Sequence, residues 1–443
     1  MMRGEPHAAP AQGPYESRCL ETLRVSLRRT RMYEKWRALD PGEGAPIDVR
    51  YSSLPYLTKA DIRRHFPDGV VPRGLDLGAA LAAGTVSFVS TSGTADEAIT
   101  NIWNQEWWDA SERASWALNS HASRLATGGH REAILASALS VGPRSDGPGI
   151  PKELRTQGRF FFLNEFGSTV EWPPGHEERI LAELSDYAPE VLEANPSLLA
   201  KVSRWAARSG RSVFQPPLIT LTYEFPSAVH LRQIRAVFKS PIVSSYGSTE
   251  AGYVFMECER GRLHQNTEFC RVDLLPVSPP GADGSDVGRI LVTTFHNKWF
   301  PLLRFEIGDL ARLAPAPCPC GRSAGFTLQS IEGRYISLFV LPNGRVVTHG
   351  TLDRAIAQVK GVDEYRIDQD SPSELSLRAV VSEGNAAGAV LRDARDSLHG
   401  VLGDGVNITA EAVPRLMPEK SGKYLLAKRN FPIGEDGARG PGA

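Results

Sequence analysis

Between residues 196 and 252 helix-length segments alternate with short apolar runs, and this alternation restricts the fold more than any other feature of the chain. Residues 196–209 (PSLLAKVSRWAARS) have helical spacing, and residues 218–224 (LITLTYE) form a β-branched, buried-strand pattern. Residues 228–238 return to helix. A second short apolar run bounded by Pro241 (KSPIV, 239–243) then leads into SSYGSTEAG at 244–252. Strand–helix–strand succession points to a parallel sheet with crossover helices and with active loops at the strand ends. Upstream, residues 133–166 alternate apolar runs (AILASALSV, FFFL) with Gly/Pro turns, residues 177–184 read as helix, and residues 85–89 (TVSFV) as strand. A long helix is expected over residues 15–40, where Leu20, Leu23, Leu27 and Tyr33 recur near helical spacing. Thr58 is placed to cap a further helix around Asp61. The fold class is α/β, and 443 residues exceed one compact core.

Composition narrows the function classes. A net charge of −1 leaves no basic surplus to neutralise a nucleic-acid backbone. No apolar run approaches the ~18–20 residues of a membrane span, and the opening MMRGEPHAAPAQGPYES lacks the apolar core of a signal peptide. Five cysteines in a chain this long make no disulfide framework. A soluble, cytoplasmic protein is expected, with no nucleic-acid or membrane partner. The Gly-, Pro- and Ala-rich ends, 1–15 and 433–443, read as disordered tails.

Several stretches carry residues suited to chemistry. In 244–252, Tyr246 offers a flat face for a purine, Gly247 a close backbone approach, Thr249 a hydroxyl, and Glu250 a carboxylate able to hold Mg²⁺ beside phosphates. An ordinary polar loop is the alternative. The 85–89 strand runs into Ser90, Thr91, Ser92, Gly93 and Thr94, a turn able to wrap a polyphosphate with N–H groups and hydroxyls. Asp96 and Glu97, directly after it, would repel such a ligand. Trp103, Trp107 and Trp108 fall at helical spacing, either as core packing or as a wall for an apolar substrate. Cys258, His264, Cys318 and Cys320 pair locally as C-x5-H and C-P-C, which matches a closed tetrahedral zinc site of structural type; unlinked buried thiols are the alternative. Cys19 and Cys270 have no such partners and read as core. Asp309, after Gly308, is placed like a strand-end carboxylate able to take two ribose hydroxyls, or as a turn Asp capping its own backbone. A hairpin with an Asn-Gly turn is expected over 338–347, and a domain boundary near Gly333. Beyond it, strand-like EYRIDQ and ELSLRAVV and helix-like GAVLRDARDSLHGVL make a small α+β unit, which ends in SGK with Lys423 after a flexible turn.

Taken in order, LPYLTKADI, STSGT, TYEF, SSYGSTE, ECERGRLH, LRFEIGDL, CPCGR, EGR and SGK span residues 54–423. The set resembles the adenylate-forming superfamily of acyl-CoA synthetases, most closely its phenylacetate–coenzyme A ligase-like branch. The resemblance implies a large N-terminal adenylation domain of layered sheets and helices (1–333) and a small mobile α+β lid (334–443). It implies attack of a carboxylate on the α-phosphorus of ATP, then transfer of the acyl group to an acceptor, usually coenzyme A. Ser90, Thr91, Ser92, Gly93 and Thr94 would line the β/γ-phosphates. Tyr246 would pack on adenine, with Glu224 and its neighbours along the base, and Gly247 joins the ATP-binding set. Thr249 would touch the α-phosphate, Glu250 would hold Mg²⁺, and Asp309 the ribose; Arg334 joins the ATP-binding set. Lys423 would bridge carboxylate, α-phosphate and ribose oxygens. Cys258, His264, Cys318 and Cys320 fall where related sequences carry zinc.

The sequence also departs from that pattern. The phosphate loop continues Ala95-Asp96-Glu97-Ala98 where the family has Gly, a basic residue and Pro. The hinge reads Gly333-Arg334-Tyr335-Ile336-Ser337 without acids, and Glu306 stands where the family usually has Arg. An aromatic or similar carboxylic acid with coenzyme A as acceptor is the leading expectation. A second keeps adenylation with a non-CoA acceptor, as in an amide ligase or a nitrite-activating diazotase acting on an aryl amine. A third is a non-catalytic nucleotide- or acyl-binding relative.

Overall fold

The computed structural model describes residues 13–91, 98–125, 128–278 and 284–433, together with the backbone of His7–Ala8. The chain divides into two compact units, Met1–Ser123 with Ser245–Ile331, and Arg124–Ser244 with Glu332–Ile433.

In the first unit a mainly antiparallel sheet runs His7–Ala8, Cys270–Pro276, Val287–Thr294, Phe305–Leu313, Thr327–Arg334, Leu263–Gln265, Gly252–Glu257 and then the strand Ile242–Ser248. All eight residues of Val287–Thr294 are buried, so both of its faces are covered. Arg271 and Asp273 alternate onto one face of Cys270–Pro276. The guanidinium grips the carboxylate at 3.0 and 2.8 Å, reaches Asp48 at 2.8 Å and lies 4.4 Å over the Tyr51 ring. This pairing satisfies a charge that is only 1% exposed. The single helix expected over 15–40 is instead an α-helix, Pro14–Arg29, and a 3₁₀ helix, Arg31–Leu39, broken at an extended Thr30. Tertiary anchoring decides this. The Tyr33 hydroxyl donates to Pro301 O and accepts from Leu303 N, which fixes the second segment against the core. Pro14 and Tyr15 are therefore helical, not tail; most of both expected tails lies outside the described residues. The expected cap at Thr58 is a capping box with Asp61.

In the second unit the strands Phe160–Phe162, Glu132–Leu135, Val191–Ala194, Leu218–Leu221 and Ile242–Ser248 run parallel, with Thr156–Gln157 antiparallel at the edge. Helices His176–Tyr187, Pro196–Ser209 and Ala228–Val237 supply crossovers, as the alternation predicts. Residues 332–433 add a four-stranded sheet in the order Asn407–Ala412, Glu374–Val381, Val362–Ser371, Ala427–Arg429, with helices His349–Ala357 and Ala387–Leu402. The expected hairpin pairs Phe339–Val340 with Val346–Val347. This α+β part is fastened to the crossover helices by polar contacts. Ser227 Oγ and Ala228 N donate to Asp353, and Arg232 donates to the carbonyls of Ala357, Val359 and Val362. The architecture is α/β, a large sheet-rich part with a smaller α+β C-terminal part. Among the described residues no helix is long and apolar enough to cross a membrane.

Candidate nucleotide residues, lysine turn and metal centre

Strands Ile242–Ser248 and Gly252–Glu257 form a hairpin whose turn holds Thr249 and Glu250. Two glycines make it possible. A Cβ on Gly247 would lie 2.2 Å from Gly252 O, and one on Gly252 (φ 69°) would strike Trp107 at 2.8 Å and Ser111 Oγ at 2.9 Å. Glu250 is buried at this turn, and Thr249 is half-buried. Tyr246, also half-buried, donates from its hydroxyl to Asp309 Oδ2 at 2.9 Å, joining two candidate nucleotide residues from separate motifs.

Asp309 lies within the strand Phe305–Leu313, not at a strand end as expected. It sits where the pairing slips. Arg289 faces Leu310 while Leu291 faces Glu306, and Gly308 takes φ 98°. This bulge turns the Asp309 carboxylate toward Tyr246. The unexpected Glu306 is explained by the same strand pair, since Arg289 Nε donates to Glu306 Oε1 at 2.7 Å and the Arg289 guanidinium lies 5.1 Å over Tyr56.

Of the phosphate-loop candidates, Ser92, Gly93 and Thr94 lie outside the described residues, as do Asp96 and Glu97. Ser90 closes the strand Ser87–Ser90, and the Thr91 hydroxyl accepts from Ile99 N at 3.0 Å. Trp103 lies on the strand Thr100–Trp103, not on the expected helix, which covers Gln105–Trp116; the rings of Trp103 and Trp108 are 4.4 Å apart. Trp107 is core, donating to Phe295 O at 2.8 Å.

In the second unit Gly422 and Lys423 form a tight turn. Gly422 N donates to Glu419 O, and Glu419 N to Lys423 O, both at 2.8 Å. Gly422 has φ 78°, and a Cβ there would stand 2.3 Å from Ser137 Oγ. Tyr424 N donates to Glu224 Oε1 at 3.1 Å, and Glu224 also accepts from Ser197 Oγ. Burial pushes the Glu224 carboxyl up, opposed by these two bonds and by the Lys423 charge. Tyr223 holds φ 73°, an uncommon conformation for a residue with a side chain, as it turns Glu224 inward. Arg334 ends the strand Thr327–Arg334. Ser137 and Ser197 were not among the sequence candidates, because a serine after an apolar run or at a helix start carries no specific signal.

The four metal candidates converge. The ligand atoms of Cys258, His264, Cys318 and Cys320 all lie within 4.8 Å of one another. Two Cys-x-x-Gly turns build the cluster. Gly261 N donates to Cys258 O at 2.9 Å and Gly321 N to Cys318 O at 3.1 Å, with left-handed glycines at φ 73° and 82°. His264, on the strand Leu263–Gln265, points Nε2 at Cys320 Sγ (3.2 Å) while Nδ1 lies 3.3 Å from Thr327 Oγ1. Burial lowers the His264 pKa, favouring the neutral ring a metal requires, and raises that of Cys258 to about 11. Three thiols and one imidazole, with the second ring nitrogen facing a hydroxyl, fit a tetrahedral structural metal ion. The other two thiols, Cys19 and Cys270, are fully buried core residues.

Residues 339–430 match the family model described as the CapK C-terminal domain. Protein CapK of Staphylococcus aureus is 21% identical over 257 residues, which cover 57% of this chain and 55% of that protein. Fumarate–(S)-2,3-diaminopropanoate ligase of Enterobacter agglomerans is 26% identical over 168 residues, 37% of this chain and 41% of that protein. The chain thus spans about half the length of the curated relatives it matches. Among solved structures, 2-hydroxyisobutyryl-CoA ligase in its postadenylation state superposes with a TM-score of 0.70 at 17% identity, covering 94% of this chain and 89% of the other. The chain thus shares the fold of that CoA ligase, the fold its ordered motifs imply.

Proposed function

We propose that the protein is an AMP-forming ligase that activates a carboxylic acid with ATP and Mg²⁺ as an acyl-adenylate and passes the acyl group to an acceptor. The observation that carries this is the Tyr246–Asp309 hydrogen bond, which ties two motifs 63 residues apart into one polar face beside the buried Glu250 turn. In this reading Tyr246 packs on adenine, Gly247 lets the backbone approach the nucleotide, Asp309 holds the ribose hydroxyls, Thr249 meets the α-phosphate and Glu250 binds Mg²⁺. Ser90 and Thr91, with Ser92, Gly93 and Thr94, line the phosphates. Lys423 supplies positive charge to a pentacoordinate phosphorus, and Arg334 belongs to the ATP-binding set. Such a reaction runs mainly on positioning and electrostatics. Cys258, His264, Cys318 and Cys320 hold a structural zinc ion. Residues 1–333 act as the adenylation domain and 334–443 as a lid, in the phenylacetate–coenzyme A ligase-like manner.

For the acceptor, coenzyme A is the first reading, supported by the fold shared with a CoA ligase. An amine acceptor is the second, including the nitrite-dependent case. It is favoured by the Asp353 and Arg232 contacts that tie the α+β part to the crossover helices, since a CoA-directed second step depends on lid rotation. Its other support is a relative named for joining fumarate to a diamino acid. The aromatic-acid preference loses part of its motive, because Trp107 is spent on core packing.

Pyrophosphate release is measured with ATP and Mg²⁺ across aryl and aliphatic acids, without an acceptor, with coenzyme A, with amines, and with nitrite plus an aryl amine. Acid-dependent release that Lys423→Ala abolishes is the expected result. Release that Lys423→Ala leaves intact would remove the role of that residue. Silence across the panel, with ATP still bound by calorimetry, would leave the non-catalytic relative.

A further inference from the structure

The adenylation reading gives Lys423 its task but does not say what holds its backbone in place, and the second unit offers two fixed points flanking it. On one side Gly422 lies against Ser137, just beyond the exit of the parallel strand Glu132–Leu135, so closely that a Cβ would stand 2.3 Å from Ser137 Oγ. On the other, Tyr424 N donates to Glu224 Oε1, just beyond the exit of the parallel strand Leu218–Leu221. The strand Val191–Ala194 lies between these two in the sheet. The lysine turn therefore bridges the carboxyl edge of the parallel strands, the edge where open α/β sheets place their ligands.

Glu224 is built for this contact. Its second oxygen accepts from Ser197 Oγ at the start of the helix Pro196–Ser209, so one carboxylate spans a helix N-terminus and the lysine turn. The helix dipole and the Ser197 hydroxyl favour the ionised form. The left-handed Tyr223, with Glu224 N donating to Thr222 O at 2.9 Å, aims the side chain inward instead of leaving it along the strand. Each oxygen is thus engaged by a group of the second unit itself, the Tyr424 amide on one and the Ser197 hydroxyl on the other.

We propose that Glu224 is a positioning residue that docks the Lys423 turn through the Tyr424 amide, with the Gly422–Ser137 approach as the second anchor, rather than a residue that contacts adenine. This rests on the adenylation reading for its purpose, but the docking itself is tested without activity. Amide hydrogen exchange of the 419–425 peptide is compared in the full-length wild type, Glu224→Ala, Glu224→Gln and Gly422→Ala. Losing a charge-assisted hydrogen bond should speed exchange in this peptide roughly tenfold or more in Glu224→Ala. Glu224→Gln keeps an oxygen for the Tyr424 amide and should stay near the wild type. Gly422→Ala, with Glu224 intact, should also speed exchange. The helix Ala387–Leu402 serves as the internal reference and should not change.

In steady-state kinetics Glu224→Ala should lower kcat for pyrophosphate release with the KM for ATP nearly unchanged. A raised KM for ATP with unchanged exchange would assign Glu224 to the base and overturn the proposal. So would Glu224→Gln exchanging as fast as Glu224→Ala. Should Glu224→Ala not fold, unchanged exchange in Gly422→Ala overturns it equally. A wild type that releases no pyrophosphate would defeat the adenylation reading, while the exchange data would still decide the docking.

Discussion

Acidification should unfold this protein earlier than its carboxylates alone would require, because three histidines are buried as neutral rings in the second unit. His176, His230 and His349 are only 3%, 4% and 3% exposed. Burial, reinforced by Arg179, Lys201 and Arg155, lowers the pKa of His176 to about 3. Burial, then Arg204, lowers that of His230 to about 3, and its Nδ1 has no hydrogen-bond partner among the described residues. Burial lowers that of His349 to about 4 against the opposing pull of Asp353 and Glu332. Each folded-state value lies below the unfolded value of about 6.5, so below that pH the unfolded chain takes up protons that the folded one refuses. The stability these rings contribute is complete above about pH 6.5 and is lost as pH falls toward 4 and 3. The loss is about 1.4 kcal/mol per pH unit for each ring. At pH 5 this amounts to about 2 kcal/mol each and about 6 kcal/mol together, comparable to the whole stability of many domains. Urea unfolding at constant ionic strength, followed by near-UV circular dichroism at pH 7.5 and 5.0, reads the loss directly. NMR of the imidazole C2 protons reads its cause. Equal midpoints at the two pH values, or these three rings titrating near pH 6.5, would refute the reasoning.

Three further outcomes follow from single sites. Purified protein should carry one zinc ion per chain by elemental analysis, and Cys258→Ser, which removes one of three thiolates, should lose most of it; a metal-free wild type would cancel the centre. Gly247→Ala drives a methyl group to 2.2 Å from Gly252 O and should destabilise by ~1–3 kcal/mol in urea unfolding, whereas an unchanged midpoint would mean that the hairpin yields without cost. Tyr246→Phe removes the donor to Asp309. It should cost ~0.5–1.5 kcal/mol of stability and raise the KM for ATP, and an unaffected KM would detach this pair from the nucleotide.

Much of the fold is legible where local signals and burial agree. The helix Pro196–Ser209 has Pro at its start, Gly210 after its end and an unbroken apolar stripe, and the structure keeps those bounds. Thr58 and Asp61 carry a capping box within four residues, and the cysteine spacing anticipates a cluster because both halves are short turns. What escaped the sequence depends on distant partners. Nothing near Thr30 reports that Tyr33 will be claimed by Pro301 and Leu303, so the helix break was invisible. Trp103 shares the helical spacing of Trp107 and Trp108 but pairs in a strand with Ser87, a partner that only the tertiary fold supplies. Asp309 reads as a strand end because Gly308 looks like punctuation, whereas that glycine serves a bulge inside a strand. Glu306 reads as a departure until Arg289 is found beside it on the next strand. Within the candidate site, residue types that recur in motifs were visible, while Ser137 and Ser197, which act by contact alone, were not.

The most direct test of adenylation is ATP–pyrophosphate isotope exchange, which reports reversible acyl-adenylate formation whatever the acceptor. With Mg²⁺ and a panel of carboxylic acids, exchange of labelled pyrophosphate into ATP should depend on one class of acid. It should vanish in Lys423→Ala and should need neither coenzyme A nor an amine. No exchange with any acid, in protein that binds ATP and carries its metal ion, would contradict the assignment of this chain as an adenylate-forming enzyme.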